Sequence, residues 1–419
     1  MHPLNPDEPT RLGDFRLLPH PGSGGTEHVP PDAHRSSPRA AAPPPGRAPR
    51  SLRGRRVLLR ACALTAAAAF LAGAGLYSLA APAWDPSATV GTDTGGCSAS
   101  ASAVSDRLAP PGDPQVTFSD DLPLELSFSP DGSVLAVSQI DAVTLWDWRE
   151  SRAIAQIDHG ASAVPPTPAS FSPDGCLVAY GTPHGAAVVD LSTGRGRTVG
   201  ADQAVRALAF SPDGSSLALG VGSDPAGRLL HLHETSTWKL ESRLAGSAPL
   251  GSVRYSFDGS VVAGGENDGG VAVWNVDRPR SAGLVRDRAG VGADAFDVVP
   301  DGTAVLVIRS GSVLLVDPRT EEVLREYVPG TDEGVLVDVA YSAASGRVFA
   351  ARLDPATDTG DMVAWEYGAA TEVALGTDLP RVFPMALSED GSRVAGLRTR
   401  TGDIAVYDTD LSLLNVLTR

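Results

Sequence analysis

Apolar and polar positions follow one recurring pattern through most of this chain. An apolar stretch of strand length leads into an Asp-Gly pair, a second apolar stretch follows, and a third ends in an apolar or aromatic residue and then an acid. After Asp213-Gly214, for example, come Leu217–Leu219 and then Leu229–Glu234. Because Asp accepts hydrogen bonds from turn amides and Gly adopts positive φ, the pair favours a tight hairpin. A fourth, more polar strand completes each unit.

The unit repeats at a nearly constant spacing. The turn FSPDG begins at Phe128, Phe171 and Phe210, and then drifts to YSFDG at 255–259, VVPDG at 298–302, YSAASG at 341–346 and LSEDG at 387–391. Successive turn anchors lie 39 to 45 residues apart, at Asp131, Asp174, Asp213, Asp258, Asp301, Ser345 and Asp390. Seven units of this length are typical of a β-propeller. We therefore predict an all-β, seven-bladed β-propeller over residues 115–419.

The repeats resemble those of the WD40 family from about Val116 to Arg419. The resemblance lies in FSPDGSVLAVS followed by VTLWD at 128–147, and in YSFDGSVVAGGENDGGVAVWN at 255–275. It implies a WD40-like propeller. A regular Gly-His pair ahead of each unit is absent, so a looser WD40-like or quinoprotein-like propeller is expected, without the buried Asp-His-Ser/Thr-Trp network. Whether Gln115–Phe118 closes the last blade stays open, because every unit already holds four strands.

An uncharged run of 24 residues, Ala61 to Trp84, precedes the repeats. At about 1.5 Å per residue it can cross a hydrocarbon core of about 30 Å, and it predicts one transmembrane helix within residues 57–84. Arginines precede the run and Asp85 follows it, so the positive-inside rule places the N-terminus in the cytoplasm and the propeller outside. The alternative is a cleaved export signal, because Arg55-Arg56 resembles a twin-arginine motif and Ala81-Pro82-Ala83 a cleavage site.

Two segments of low complexity flank this run. Residues 85–114, rich in Ser, Gly, Thr, Ala and Pro, predict a flexible stalk, and residues 1–56 predict a disordered, Pro- and Arg-rich cytoplasmic tail. Within the tail, residues 5–29 resemble the opening of bacterial membrane-anchored serine/threonine protein kinases, with Gly22–Val29 in place of the loop that covers the ATP phosphates. Glu27 replaces the third glycine, and no lysine-bearing strand, H-R-D or D-F-G segment follows. The resemblance implies a receptor-like kinase that lost its kinase domain; the alternative is a chance Gly-rich stretch.

Charge and cysteine content narrow the function classes. The net charge of the whole chain is −16. Residues 1–60 have a net charge of +5, and the remaining residues have a net charge of −21. With Lys239 as the only lysine, the chain lacks the basic patch that a nucleic-acid binder needs. Three cysteines provide neither a zinc site nor a disulfide framework. Cys97 and Cys176 either stay as two thiols or pair in an oxidising exterior.

The sequence contains no recognisable catalytic constellation. His231 and His233 alternate on one strand and so share a face, but they occupy columns that we expect to pack between blades rather than to bind a metal. The acids that end the third strands are expected to cap turns. We therefore expect no enzymatic activity, no metal and no cofactor.

Binding by a propeller usually involves the loops around its central channel. Counting seven residues back from the turn anchors selects four candidates for the channel mouth, Arg206, Asp294, Asp338 and Phe383. Mixed charge with one aromatic residue favours a protein or peptide partner. The expected function is a non-catalytic, single-pass membrane protein whose propeller binds or senses a ligand outside the cytoplasm. The alternatives are an exported, signal-cleaved propeller with an unrecognised enzymatic or ligand-binding channel, and cytoplasmic signalling through the tail.

Overall fold

The computed structural model describes residues 125–418, apart from 140–141, 159–167, 201–202, 223–226, 228, 278–280, 286–294, 331–333, 355–358, 377–381 and 399–402. The expected tail, transmembrane segment 57–84 and stalk 85–114 therefore lie outside the described residues, as do Gly22–Val29 and Gln115–Phe118. Among the residues that are described, no helix has the length and apolar character needed to span a membrane.

The described residues form seven antiparallel sheets, each built from four strands that are consecutive in sequence. This confirms the all-β, seven-bladed β-propeller. Blades 1 and 2 consist of β1 Glu125–Phe128, β2 Val134–Ser138, β3 Ala142–Asp147, β4 Arg152–Asp158, β5 Ser170–Phe171, β6 Leu177–Thr182, β7 Gly185–Asp190 and β8 Gly196–Val199. Blades 3 and 4 consist of β9 Val205–Phe210, β10 Ser216–Val221, β11 Leu230–Glu234, β12 Leu240–Leu244, β13 Leu250–Tyr255, β14 Val261–Glu266, β15 Val271–Asn275 and β16 Ser281–Val285.

The remaining three blades follow the same order. They consist of β17 Phe296–Val298, β18 Val305–Arg309, β19 Ser312–Val316, β20 Val323–Tyr327, β21 Val335–Ser342, β22 Arg347–Asp354, β23 Thr359–Glu366, β24 Glu372–Gly376, β25 Val382–Leu387, β26 Arg393–Arg398, β27 Asp403–Asp408 and β28 Leu413–Leu417. In every blade the first strand is innermost and the fourth is outermost.

The hydrophobic core lies between the blades. Each of the seven clusters of buried apolar side chains draws its members from two neighbouring blades. In β2, for example, Val134 and Ala136 face blade 2, whereas Leu135 and Val137 face blade 7. Since both faces of a sheet are covered, the middle strands are continuous apolar runs rather than alternating ones.

The ring closes through side chains of the first and last blades. One cluster joins Leu126 and Phe128 of blade 1 to Val406 and Leu417 of blade 7. At the outer edge, the Asn415 amide donates to the carbonyl oxygens of Trp148 and Arg149 at 2.6 and 2.9 Å. The last blade thus contains four strands of its own, and β28 is its outer strand.

The repeated Asp-Gly turn is held by its own side chains. In blade 1, Ser129 Oγ donates to Asp131 Oδ1 at 2.7 Å, and that oxygen also accepts the Ser133 amide at 3.0 Å. Gly132 has a φ of 64°, the left-handed region that favours glycine. Turns of neighbouring blades touch, as where the Asp258 amide donates to Pro300 O at 3.0 Å.

Two turn glycines have the same backbone geometry but different surroundings. Substituting each of them distinguishes the cost of backbone strain from the cost of disturbing contacts between turns. Gly346 and Gly391 have φ of 66° and 65°. A Cβ at Gly346 meets nothing within 4 Å, whereas one at Gly391 overlaps the side chain of Ser342. We expect Gly346→Ala to cost about 1 kcal/mol through φ alone, and Gly391→Ala to cost at least about 1 kcal/mol more because Ser342 must move. Urea unfolding of both variants measures the difference, and equal losses would contradict the packing between turns of blades 6 and 7.

Candidate functional site

The innermost strands surround the central channel and set its chemistry. Contacts between inner strands of neighbouring blades run from β5 through β9, β13, β17, β21 and β25 to β1. The outward edge of each inner strand pairs with its own blade, so the edge that faces the channel presents backbone groups without a strand partner. Polar side chains on the preceding blade satisfy several of these groups.

Most of these hydrogen bonds come from one position of the repeat. It is the residue that precedes the aromatic or apolar residue at the start of each turn. Ser127 Oγ donates to Ala169 O of the next blade, and Ser170 Oγ accepts the Phe210 amide at 3.1 Å. Arg254 Nε donates to Phe296 O at 3.2 Å. The polar residues at this position are visible in the sequence. Predicting their hydrogen bonds also requires the stagger between adjacent blades, which the sequence does not give.

The same position brings together one basic and one acidic side chain. Arg254 Nε lies 4.0 Å from Asp297 Oδ1, and the two side chains are 42 % and 20 % exposed. Asp297 also accepts the Val298 amide at 2.8 Å and the Tyr341 amide at 2.7 Å. Burial raises the pKa of Asp297, while Arg254 and the two amides act in the opposite direction. Blades 4 and 5 thus present a guanidinium beside a carboxylate whose two oxygens are already hydrogen-bonded.

Asp338, selected as a residue of the channel mouth, is buried within β21. Its carboxylate accepts the amides of Val339 at 2.8 Å and of Met385 at 3.1 Å, and so joins blade 6 to blade 7. The turn of blade 6 is one residue longer than the others, since the Gly346 amide bonds to Ser342 O four residues back, whereas Gly132 bonds three residues back. Counting from Ser345 therefore selects a position one residue out of step with the other blades.

Of the other three candidates, Arg206 and Phe383 lie on described inner strands of different blades. Arg206 lies half-buried on β9 of blade 3, where burial lowers its pKa and Gly222 leaves room for its guanidinium. Phe383 belongs to β25 of blade 7, next to β21, and its side chain is not among those described. Asp294 lies outside the described residues. Since blade 3 is three blades from blade 6, Arg206 and Asp338 belong to different sectors of the channel.

A buried glutamate that sequence reasoning missed organises the link between blades 3 and 4. Glu266 is 1 % exposed, and its Oε1 accepts the amides of Ser247 at 2.6 Å and Ala248 at 3.2 Å. The indole of Trp274 donates to Ala245 O at 2.9 Å in the same link. A carboxylate in the polar stretch ENDGG carries no sequence signal for this contact.

His233 and the acids at the third-strand ends make contacts within their own blades. His231 and His233 are both buried, and His233 Nδ1 lies 3.3 Å from Trp238 O. Asp190 Oδ1 accepts the Ser192 amide at 2.7 Å, and Asp317 Oδ1 accepts the Arg319 amide at 2.8 Å, which is turn capping as expected. No three His, Cys, Asp or Glu side chains of the described residues converge as metal ligands.

Comparison with protein-family models and with curated proteins finds no match for this chain. The blade geometry therefore provides the structural basis for assigning function. Its distinctive features are the Arg254–Asp297 pair, the buried carboxylates at Asp338 and Glu266, and the channel-facing edges of the inner strands.

Removing the carboxylate of Asp338 should loosen the contact between blades 6 and 7. We expect Asp338→Ala to lower the free energy of unfolding by about 1–3 kcal/mol, because the buried amides of Val339 and Met385 lose an acceptor. Asp338→Asn keeps one acceptor oxygen and should cost less. Urea unfolding provides the measurement, and an Ala variant as stable as the parent would rule out this contact as a structural link.

Protonation of His233 should destabilise the fold as the pH falls. Burial lowers the pKa of His233 first of all, the Trp238 carbonyl opposes this, and Arg243 lowers it further. The unfolded chain therefore binds the proton first, and stability is lost as the pH falls below about 6.5. Thermal unfolding between pH 7.5 and 5 should show a smaller decline for His233→Gln than for the parent. His184→Gln, at an exposed position, is the control, and parallel curves for the parent and His233→Gln would contradict the prediction.

Proposed function

We propose that this chain is a non-catalytic, membrane-anchored, WD40-like β-propeller that binds or senses a protein or peptide outside the cytoplasm. Its origin, in this proposal, is a receptor-like serine/threonine kinase that lost its kinase domain. The seven-bladed ring supports the receptor part, because propellers act as binding platforms around a central channel. The kinase origin rests on the resemblance of residues 5–29.

The observation that carries the location is that Cys176 is disulfide-bonded. Disulfides persist in oxidising compartments outside the cytosol and are rare inside it. The other two cysteines of the sequence are Cys62 and Cys97, and we propose Cys97 as the partner. Cys62 belongs to the uncharged run and Cys97 to the expected stalk, so a Cys97–Cys176 pair matches a propeller tethered just outside a membrane.

We expect the ligand of the channel to be polar. Arg254 and Asp297 place opposite charges on adjacent blades, and Arg206 adds a half-buried guanidinium on blade 3. Oriented charges of both signs favour a peptide or protein over a polyanion. Asp294 and Phe383 complete the set of residues for mutagenesis at the channel mouth.

The alternative is an exported, signal-cleaved propeller with a ligand-binding or enzymatic channel. The disulfide at Cys176 agrees equally well with this alternative. The Arg254–Asp297 pair also suits a small zwitterionic ligand. The two proposals differ in whether the uncharged run stays in the mature chain.

Membrane fractionation with protease protection separates them. The protein is expressed in cells with a tag at each end of the chain. The mass of the mature product is measured by mass spectrometry with and without reduction of disulfides. We expect a full-length, membrane-bound product whose C-terminal tag alone is digested from outside, and a Cys97–Cys176 peptide pair that appears only without reduction. A shorter soluble product that begins near Trp84 would replace the anchored receptor by the exported propeller. A digested N-terminal tag on intact cells would contradict the orientation.

A further inference from the structure

Two tyrosines of blade 6 lie against each other where blades 5 and 6 meet. Tyr341 belongs to the end of β21, at the start of the turn, and Tyr367 follows the end of β23. Their ring centroids are 4.9 Å apart and the ring planes are inclined at 66°. Both side chains are half-buried and pack against the apolar cluster shared by blades 5 and 6. The two rings therefore form a corner that is partly open to solvent.

Hydrogen bonds across the two blades hold the Tyr367 ring in place. The hydroxyl of Tyr327, a fully buried residue of blade 5, donates to Tyr367 O at 2.9 Å. The Tyr367 amide donates to Gly346 O at 2.9 Å, in the turn that begins at Tyr341. The corner is thus formed before a ligand arrives, which lowers the entropy cost of binding.

The turn of blade 5 adds a carboxylate with spare hydrogen-bonding capacity. In blades 1 to 4 and in blade 7, a serine hydroxyl donates to the turn aspartate at 2.5 to 2.7 Å. Blade 5 has Val299 in place of that serine, so the exposed Asp301 accepts hydrogen bonds only from Thr303, through Oδ1. Among the described residues, no group donates to Asp301 Oδ2.

Electrostatics couple this carboxylate to both tyrosines. Burial raises the pKa of Tyr341 and Tyr367, and the charge of Asp301 raises both further. Arg325, which donates to Gly368 O, lowers the pKa of Tyr367 but does not act on Tyr341. Neither hydroxyl hydrogen-bonds to a residue that the structure describes. The negative charge and the two hydroxyl oxygens are therefore available to a ligand.

The corresponding place between blades 3 and 4 is filled. There the turn tyrosine is Tyr255, whose hydroxyl is buried and whose pKa burial raises to about 12. Both oxygens of the turn aspartate Asp213 are engaged, Oδ1 by the Ser211 hydroxyl at 2.6 Å and Oδ2 by the Ser215 hydroxyl at 2.8 Å. The position of the second aromatic ring holds Val276. The same repeat positions thus form a closed contact between blades 3 and 4 and an open one between blades 5 and 6.

We propose that Tyr341, Tyr367 and Asp301 form a binding site for an arginine side chain of a partner protein, and we call this site the aromatic corner. The faces of aromatic rings attract cations, and a carboxylate beside them strengthens the attraction. The site adjoins the channel wall, because Asp297 accepts the Tyr341 amide, but it uses side chains that the proposed channel ligand does not. It depends neither on that ligand nor on the compartment of the propeller.

A guanidinium fits this chemistry better than an ammonium. It is planar, stacks on a ring face and carries five N–H donors, whereas an ammonium is a compact and strongly hydrated charge. Asp301 Oδ2 and the two tyrosine hydroxyls are acceptors for such donors. Ala343 and Ala344, both exposed, place no bulky side chain beside Tyr341 in the turn. The net charge of −16 also attracts a partner that presents a cation.

Tyrosine ring signals of the purified full-length chain report this binding directly. The seven tyrosines are labelled with carbon-13 in the ring, and the variants Tyr341→Phe and Tyr367→Phe assign the two signals of interest. The probes are capped Gly-Gly-Arg-Gly-Gly and the same peptide with citrulline, which has nearly the shape of arginine but no charge.

The arginine peptide should shift the signals of Tyr341 and Tyr367 and leave that of Tyr255 unchanged. One exposed cation site of this kind gives a dissociation constant in the millimolar range, and the citrulline peptide should bind at least about tenfold more weakly.

Matched variants identify the contacts. Asp301→Asn keeps the shape of the side chain and removes its charge, so it should weaken binding of the arginine peptide by about fivefold. Asp131→Asn is the control, because Asp131 is an exposed turn aspartate whose neighbouring blade has Phe171 at the turn; it should stay within about twofold of the parent. Tyr341→Leu should weaken binding by about tenfold, and Tyr341→Phe, which keeps the ring, should cost less.

Four results would overturn the proposal. Equal shifts with the arginine and citrulline peptides would exclude a cation site. Equal losses in Asp301→Asn and Asp131→Asn would mean that overall charge alone attracts the peptide. Tighter binding of Gly-Gly-Lys-Gly-Gly would replace the guanidinium by an ammonium. No shift of Tyr341 and Tyr367 with any peptide would remove the site. Each result is independent of the fractionation experiment, which tests only the location of the propeller.

Discussion

Sharing of the hydrophobic core between neighbouring blades is the constraint on which this fold depends. Each buried cluster takes side chains from two sheets, so no blade has a core of its own. A sheet with two apolar faces must be covered on both sides, because exposed apolar area costs about 25 cal/mol per Å². A linear stack leaves two faces bare, whereas a ring leaves none. The cluster between blades 7 and 1 is therefore as necessary as the other six.

This shared core explains why the turn sequence can drift while the ring persists. In blade 5, Val299 replaces the turn serine, yet its amide still bonds to Ala304 O at 3.1 Å, and Asp301 accepts from Thr303. In blade 6 no Asp is present at the turn, and Ser342 accepts the Ser345 amide at 3.1 Å instead. Packing between sheets fixes the strands on both sides of each turn, so several side-chain arrangements satisfy the same backbone path.

The strand pattern and blade spacing could be predicted from the sequence because they follow from local turn chemistry and apolar runs. The prediction fails where a contact depends on the stagger of two blades. The extra residue in the turn of blade 6 shifts the count that selected Asp338, so that this position is one residue out of step with the other blades. Glu266 accepts hydrogen bonds from backbone amides that lie 18 and 19 residues earlier in the chain. Ring closure by Asn415 joins residues more than 260 positions apart. No local pattern encodes such pairs.

In a repeated fold, residues with a function are expected where the blades differ in ways that packing does not require. The buried positions of all seven blades hold apolar side chains because each has to fill the space beside its neighbour. The inner and outer edges are free of that requirement. There blades 4 and 5 differ from the rest by Arg254 and Asp297, and the outer strands of blades 5 to 7 differ by the exposed side chains of Leu324, Val373 and Leu414. Substitutions at these edges therefore test binding, whereas substitutions in the clusters between blades test stability.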